Sequence, residues 1–233
     1  MSFQKILVVD DEPQMRRVLR ASLSAHGYDV VEADSGEEAL RKLDAELCDF
    51  VLLDLNLPGL GGMATCRTIR AGSEVPIIVV SIRASERDKV AALEAGADDY
   101  ITKPFGVPEL LARVQAVARR KPVTKKLSSV LVLDGITIDF ETHQVNGRGR
   151  HEHLTPKELE VLRYLVSHVG EVIPHCRLLQ AVWGPNYGQE VEYLRVIVNQ
   201  LRRKIELNAR DPKYLLTEPW VGYRFAPPPN DTP

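Results

Sequence analysis

Five short strand-like runs, three of them apolar throughout, each followed by a helical pattern, fill the first half of the chain and leave it few ways to fold. Ile6-Leu7-Val8-Val9, Phe50-Val51-Leu52-Leu53 and Pro76-Ile77-Ile78-Val79-Val80-Ser81 are apolar on both alternating faces. That is the signature of parallel strands covered by helices on each side. Asp29–Ala33 and Ala97–Ile101 read as two further strands. Pro13 opens a helix carrying Met15, Val18, Leu19 and Leu23, and Ser35-Gly36-Glu37-Glu38 reads as a capping box ahead of Leu40 and Leu43. Helices over Met63–Arg70, Glu86–Ala95 and Val107–Arg120 complete the alternation. Five βα units predict one doubly wound α/β domain with five parallel strands.

The pattern stops at Arg119-Arg120-Lys121-Pro122, so we expect a first domain over 1–121, a linker over 122–129, a second domain over 130–226 and a flexible tail over 227–233. Leu131–Phe140 and Gln144–His153 alternate as short antiparallel strands, with a turn expected at Asn146-Gly147. Thr155-Pro156-Lys157-Glu158 reads as N-cap, first-turn proline and closing glutamate of a helix. A second helix follows Pro174, a third spans about Val191 to Leu207, and Tyr214–Phe225 reads as a closing hairpin. Strands, three helices and a hairpin predict an α+β winged helix-turn-helix.

A chain of 233 residues suits two such domains. With 44% hydrophobic and 27% charged residues it is neither disordered, collagen-like nor a coiled-coil rod. No apolar run is long enough to span a bilayer, and Met1–Lys5 leads directly into a strand. No membrane insertion is expected, and the cytoplasm is the expected location. Three scattered cysteines suggest neither a disulfide framework nor a zinc site. Net charge is −3 over 1–121 and +1 over 122–233, so any nucleic-acid face must be basic only locally.

Asp10 and Asp11 end the first strand and Asp54 the third; in a doubly wound sheet these ends lie together at the ligand-binding edge. Strand ending explains one or two of them, whereas three neighbouring carboxylates call for a cation, and hard oxygen ligands suit Mg²⁺. Ser81 ends the fourth strand, and Lys103-Pro104 follows the fifth through a candidate cis bond. Carboxylates, a hydroxyl and an ammonium around Mg²⁺ make a phosphoryl-accepting site. From the residues alone the nucleophile is any of the three aspartates.

Val8-Val9-Asp10-Asp11-Glu12, Leu52–Gly59 and Ala95–Phe105 strongly resemble two-component receiver domains, which are flavodoxin-like. The resemblance implies Asp54 as phosphoacceptor, Asp10, Asp11 and Asp54 as metal-binding acids, and Asn56 as a backbone-carbonyl ligand of Mg²⁺. It further implies that Ser81 and Lys103 bind the phosphoryl group, that Tyr100 is a switch residue, and that a sensor histidine kinase is the donor. In the OmpR/PhoB type it implies a phosphorylation-dependent homodimer through Lys89, Asp98, Asp99, Glu109, Arg113, Arg119 and Arg120. Lys89–Glu109 and Asp99–Arg113 would then be intersubunit pairs. A plain solvated charged face is the alternative.

The third helix of the second domain has an apolar stripe of Leu194, Ile197/Val198, Leu201 and Ile205. Opposite it stand Arg195, Asn199, Gln200, Arg202 and Arg203, with Lys204 beside them; such side chains can read base edges or bind phosphates. Leu154–Leu159 and Leu216–Phe225 resemble OmpR/PhoB-type effector domains, which implies promoter DNA as partner, the long helix in the major groove and the hairpin as the wing. Pro219-Trp220 stands where many members have Arg-Gly, so Thr217 or Arg224 would take the backbone role. Trp220 is open between DNA contact and wing packing. Trp183–Tyr187, Tyr193–Val196 and Thr217–Arg224 resemble the Kdp-type subgroup, which implies activation of a high-affinity potassium-uptake operon and an RNA polymerase contact at Gly184–Gly188.

Five histidines from His143 to His175 match no zinc-finger spacing, and Cys176 and Trp183 read as core residues. Competing classes are a regulator of another operon, an aspartyl-phosphate hydrolase and a receiver serving only protein interaction. Asp54-Leu55-Asn56 lacks the second aspartate such a hydrolase needs, and the basic helix argues against the last. Self-catalysed phosphoryl transfer and slow dephosphorylation at Asp54 are expected, with no enzymatic role.

Overall fold

The computed structural model describes residues 5–118 and 129–226. Arg119, Arg120, the expected linker save its last residue, and the tail lie outside them. The chain divides into two compact units, Met1–Arg119 and Arg120–Pro233.

The first unit alternates β1 (Lys5–Val9), α1 (Pro13–Ser24), β2 (Asp29–Ala33), α2 (Gly36–Ala45), β3 (Phe50–Leu53), α3 (Gly62–Gly72), β4 (Ile77–Ser81), α4 (Glu86–Glu94), β5 (Asp99–Thr102) and α5 (Val107–Ala118). The strands pair in parallel in the order β2-β1-β3-β4-β5. One face of the sheet buries Ile6, Val8, Leu52, Ile78, Val80 and Ile101 beneath Leu19 and Leu23 of α1 and Leu110 and Val114 of α5. Leu7, Val9, Val51, Leu53 and Val79 alternate with them and are equally buried. Period-2 side chains with both faces covered explain why the central positions of these strands are all apolar. Order reverses at β1, so the carboxyl ends of β1 and β3 open side by side.

The capping box expected on α2 is half formed. Ser35 accepts from the Glu38 amide at 3.4 Å, but the Glu38 carboxylate accepts from the Asp34 amide instead of from Ser35. Lys42 reaches the same carboxylate, which is held well below its usual range, at about 2, first by the Lys42 bond and then by the Asp34 amide.

The second unit begins with an antiparallel sheet of β6 (Val130–Leu133), β7 (Ile136–Asp139), β8 (Gln144–Gly147) and β9 (Arg150–His153). Its tight turns are Asp134-Gly135 and Arg148-Gly149, all four residues having positive φ as a two-residue hairpin of matching twist requires. The turn expected at Asn146-Gly147 is therefore displaced by two residues. Asn146 pairs with His151 inside the ladder, and Gly147 lies so close to strand β7 that a Cβ would sit 2.1 Å from the Gly135 carbonyl oxygen. Glycine there signals backbone approach and not the turn itself.

Next come α6 (Pro156–Val166), β10 (Val172–Pro174), α7 (His175–Trp183), α8 (Val191–Ile205), β11 (Leu215–Glu218) and β12 (Gly222–Phe225). Here the capping box is complete: Thr155 accepts from the Glu158 amide at 3.3 Å and its own amide donates to the Glu158 carboxylate at 2.7 Å. α8 buries Leu194, Ile197, Val198, Leu201 and Ile205, packing on α6 and α7. β12 pairs with β11 and β10, and β10 is too short for sequence periodicity to show.

Candidate functional site

Asp10 and Asp54 sit one residue beyond β1 and β3, held there by the strands' own ladder: the Asp54 amide donates to the Val9 carbonyl at 2.9 Å and the Asp10 amide to Ala33 at 3.1 Å. Both are buried, whereas Asp11 is exposed. Their three carboxylates bring ligand atoms within 4.8 Å of one another. Lys103, one residue past β5, spans two of them, with its ammonium 2.7 Å from Asp10 Oδ2 and 2.6 Å from Asp54 Oδ2. Burial pulls the Lys103 pKa down, but the bonds from both aspartates together raise it above its ordinary value. The lysine is thus a fixed cation that partly offsets three clustered anions. The Lys103–Pro104 peptide is cis.

The free lone pairs are oriented from below. Asp10 Oδ1 accepts from the Glu12 amide and Asp54 Oδ1 from the Asn56 amide, each at 2.9 Å. α3 starts directly against this strand end because residue 62 is glycine: a Cβ there would meet the Asp54 carbonyl oxygen at 2.1 Å. Ser81 is wholly buried at the end of β4, its hydroxyl 3.4 Å from the Arg83 amide. Tyr100 points inward, only 2% exposed, and its hydroxyl donates to the Arg83 carbonyl at 2.5 Å; burial pushes its pKa up.

Two arginines escaped the sequence reading. Arg83 donates to the Asn56 side chain at 3.0 Å, and Arg16 to the Asp10 carbonyl at 2.6 Å. Neither spacing nor residue type marks them, since each reaches the pocket from a different loop or helix.

The expected dimer face needs correction. Asp98 is 1% exposed and turned inward, bound by Arg70 at 2.8 Å and by the Ile77 amide at 2.8 Å. It lies before β5 begins, where its chain runs beneath the end of α3, so it belongs to the interior. Asp99 and Arg113 meet at 3.2 Å within one chain, and the same guanidinium binds Glu109 at 3.0 Å. Lys89 is half-buried on α4.

In the second unit the basic residues separate into free and engaged. Asn199 and Arg203 are exposed on α8, and Arg195 is exposed while paired to Glu192 one turn back. Gln200 is half-buried. Arg202 is instead pinned to β11, donating to the Leu215 carbonyl at 2.9 and 2.6 Å and to the Thr217 hydroxyl at 2.7 Å. Lys204 turns back to Glu158 and the His153 carbonyl, both at 2.7 Å. Arg224 pairs with Glu218 at 2.7 Å. Helical periodicity put Arg202 on the outer face and Lys204 beside it, but long side chains at the margin reach neighbouring elements.

Glu206, just past α8, is the residue the sequence concealed. It is 2% exposed and its carboxylate accepts from the amides of Lys213, Tyr214 and Leu215. It ties the end of α8 to the start of β11.

The response regulator receiver domain family matches residues 6–115, and the family described as transcriptional regulatory protein, C terminal, matches residues 149–225. The chain belongs to the two-component response regulators of the OmpR/PhoB type. Within that class it is similar to the transcriptional regulatory protein KdpE of Mycobacterium tuberculosis, at 45% identity over 94% of this chain and 98% of that protein. The KDP operon transcriptional regulatory protein KdpE of Escherichia coli is 40% identical over the same shares. The crystal structure of the response regulator DrrB, a Thermotoga maritima OmpR/PhoB homologue, covers 97% of this chain and all of that one at 30% identity, with a TM-score of 0.52. Receivers of this family typically bind Mg²⁺ at an acidic cluster, and Asp10, Asp11 and Asp54 form one here. No helix among the described residues is long and apolar enough to cross a membrane.

Proposed function

We propose that Asp54 accepts a phosphoryl group from a sensor histidine kinase, and that the phosphorylated chain dimerises, binds promoter DNA and activates a potassium-uptake operon. The observation that carries the first step is the Lys103 ammonium held between Asp10 and Asp54 at 2.7 and 2.6 Å. An Asp54 oxygen attacks phosphorus as the bond to the donor imidazole nitrogen breaks; with the ring's other nitrogen protonated, the ring leaves as neutral imidazole and Asp54 becomes an acyl phosphate. Lys103 then has phosphoryl oxygens to bind in place of one carboxylate. Asp10, Asp11 and Asp54, with the Asn56 carbonyl, would hold Mg²⁺, which when bound neutralises charge on those oxygens. Hard oxygen donors at this spacing fit that ion.

The new phosphoryl acceptors draw the Ser81 hydroxyl, and Tyr100, already inward beside Arg83, occupies the space behind it. That rearrangement biases the α4–β5–α5 surface, where Lys89, Glu109 and Arg113 would meet a second copy. Opening the internal Arg113 pairs frees these groups for the partner. Phosphoryl transfer and loss at Asp54 are self-catalysed steps of a switch, so the chain is not an enzyme. DNA binding falls to Arg195, Asn199, Gln200 and Arg203 of α8, with Thr217 on the wing. Gly184–Gly188, between α7 and α8, is available to RNA polymerase. The potassium assignment rests on the KdpE likeness alone.

Anisotropy of labelled DNA from upstream of a potassium-uptake operon tests this, with Mg²⁺ and with or without beryllofluoride as phosphoryl mimic. Tighter binding to that duplex than to a scrambled one, on beryllofluoride addition, is expected. Equal binding to both overturns the promoter assignment, and no beryllofluoride response overturns the switch.

A further inference from the structure

Asp10 and Asp11 form the corner where β1 turns into α1, and the two carboxylates are held very differently. Asp10 is buried, and its carboxylate accepts from the Glu12 amide at 2.9 Å and from Lys103 at 2.7 Å. Asp11 is exposed, and its carboxylate has no hydrogen-bond partner among the described residues. It still has to bring an oxygen within 4.8 Å of those of Asp10 and Asp54. A ligand side chain without a partner of its own is aimed by its backbone alone.

That backbone is held by a side chain. Asp10 lies beyond the last rung of β1, and the Arg16 guanidinium donates to its carbonyl at 2.6 Å. The carbonyl belongs to the planar peptide that joins Asp10 to Asp11, so fixing it fixes the direction in which Asp11 leaves the strand. The helix cap cannot do this work. Glu12, at the N-cap of α1, makes no side-chain cap bond, and Pro13 has no amide to offer. Arg16 has a firm base, since its own amide donates to the Glu12 carbonyl at 3.1 Å in the first turn of α1.

Charge alone argues against an arginine at this place. A cation beside a divalent metal site weakens metal binding, and Lys103 already supplies the resting counter-charge. The bond to the ligand backbone, and not the charge, is what Arg16 contributes. We infer that Arg16 is a positioning residue of the metal site: through the Asp10–Asp11 peptide it aims the Asp11 carboxylate at the Mg²⁺ position shared with Asp10 and Asp54. This rests on the Mg²⁺ reading above and adds to it a residue outside the ligand set.

Arg20 is the control. It stands one turn further along α1 and lines the same polar cleft as Arg16, beside Glu32, which it approaches at 4.0 Å. It carries the same charge without a bond to the corner. The cleft also gives water access towards the Asp10 carbonyl once the Arg16 guanidinium is removed, so an Arg16 variant is expected to fold.

The test titrates MgCl₂ into the isotope-labelled full chain and follows the amide chemical shifts around Asp54. Arg16→Met is expected to weaken Mg²⁺ binding about tenfold, the opposite of what loss of a cation does by charge alone, while its spectrum in EDTA stays dispersed. Arg16→Lys keeps the charge and a donor and should recover most of the affinity. Arg20→Met should bind Mg²⁺ as tightly as the wild type or slightly more tightly. Unchanged or tighter binding by Arg16→Met, beside normal wild-type binding, overturns the inference and leaves the metal reading standing. Equal weakening in Arg20→Met, or a lysine variant no better than the methionine one, also overturns it. A wild type that takes up no Mg²⁺ overturns both. Should Arg16→Met lose its dispersed spectrum, Arg16→Gln is read in its place on the same terms.

Discussion

Glu206→Gln probes how the wing is fastened to the recognition helix. Glu206 Oε1 accepts from the amides of Tyr214 and Leu215 at 2.9 and 2.7 Å, and Oε2 from Lys213 at 2.9 Å. Glutamine keeps the volume, so no cavity opens. Its oxygen can keep the first two bonds without their charge, but its NH₂ meets the Lys213 amide donor to donor. Bonds to charged acceptors contribute about 1.5–3 kcal/mol each and neutral ones about 1, so losing one and weakening two costs about 3 kcal/mol. A urea titration of the full chain followed by tryptophan fluorescence reads the second unit alone. At a slope of about 2 kcal/mol/M the midpoint should fall by about 1.5 M. Glu218→Gln is the control: its pair with Arg224 is about one-third exposed, so its loss should move the midpoint little. A Glu206→Gln shift below about 0.3 M, given the same slope, would refute the claim that this carboxylate anchors the connection.

Arg202→Ala and Arg203→Ala should weaken DNA binding in different ways. Arg202 holds the wing, so its loss lowers affinity at an unchanged salt slope, whereas an exposed Arg203 that binds phosphate takes about one unit of slope with it. Identical salt slopes for wild type and both variants would remove Arg203 from the phosphate contacts. Lys103→Met leaves the Asp10 and Asp54 carboxylates, with Asp11, within 4.8 Å and without their buried cation. Breaking such a pair costs about 3 kcal/mol, so calorimetry should show a receiver transition lowered strongly in EDTA and less in Mg²⁺. An equal loss in both would mean that the ammonium is not the resting counter-charge. Cys66, pushed up to about 12 by burial, should resist iodoacetamide at pH 8 while exposed Cys176 reacts. Because the raised pKa keeps Cys66 protonated only when folded, its contribution to stability is present below pH 9 and falls as pH rises above it. Peptide mapping showing both thiols alkylated at one rate in the native protein would contradict this.

Much of the architecture was legible because local patterns carry it. Strands buried on both faces must be apolar throughout, and the Thr155–Glu158 cap, the α8 stripe and the closing hairpin are each written in a few consecutive residues. The three aspartates were legible for the same reason: each ends a recognisable strand. Glycine was read less well, since Gly147 marks a close backbone approach and the turn falls at Arg148-Gly149.

What the sequence determined by itself is the helices, the parallel strands, the family and the residue types gathered at the carboxyl edge. What only the tertiary structure decided is which side chains are already engaged. Lys103 reaches Asp10 across 93 residues, Lys204 reaches Glu158 across 46, and Asp98 is claimed by Arg70 from another element. Periodicity assigns a residue to a face, but a flexible ion at the edge of that face chooses its partner from whatever the packing brings within about 3 Å. For that reason Arg202 and Asp98 are engaged within the chain, Glu206 accepts from three backbone amides, and Trp220 is fully exposed.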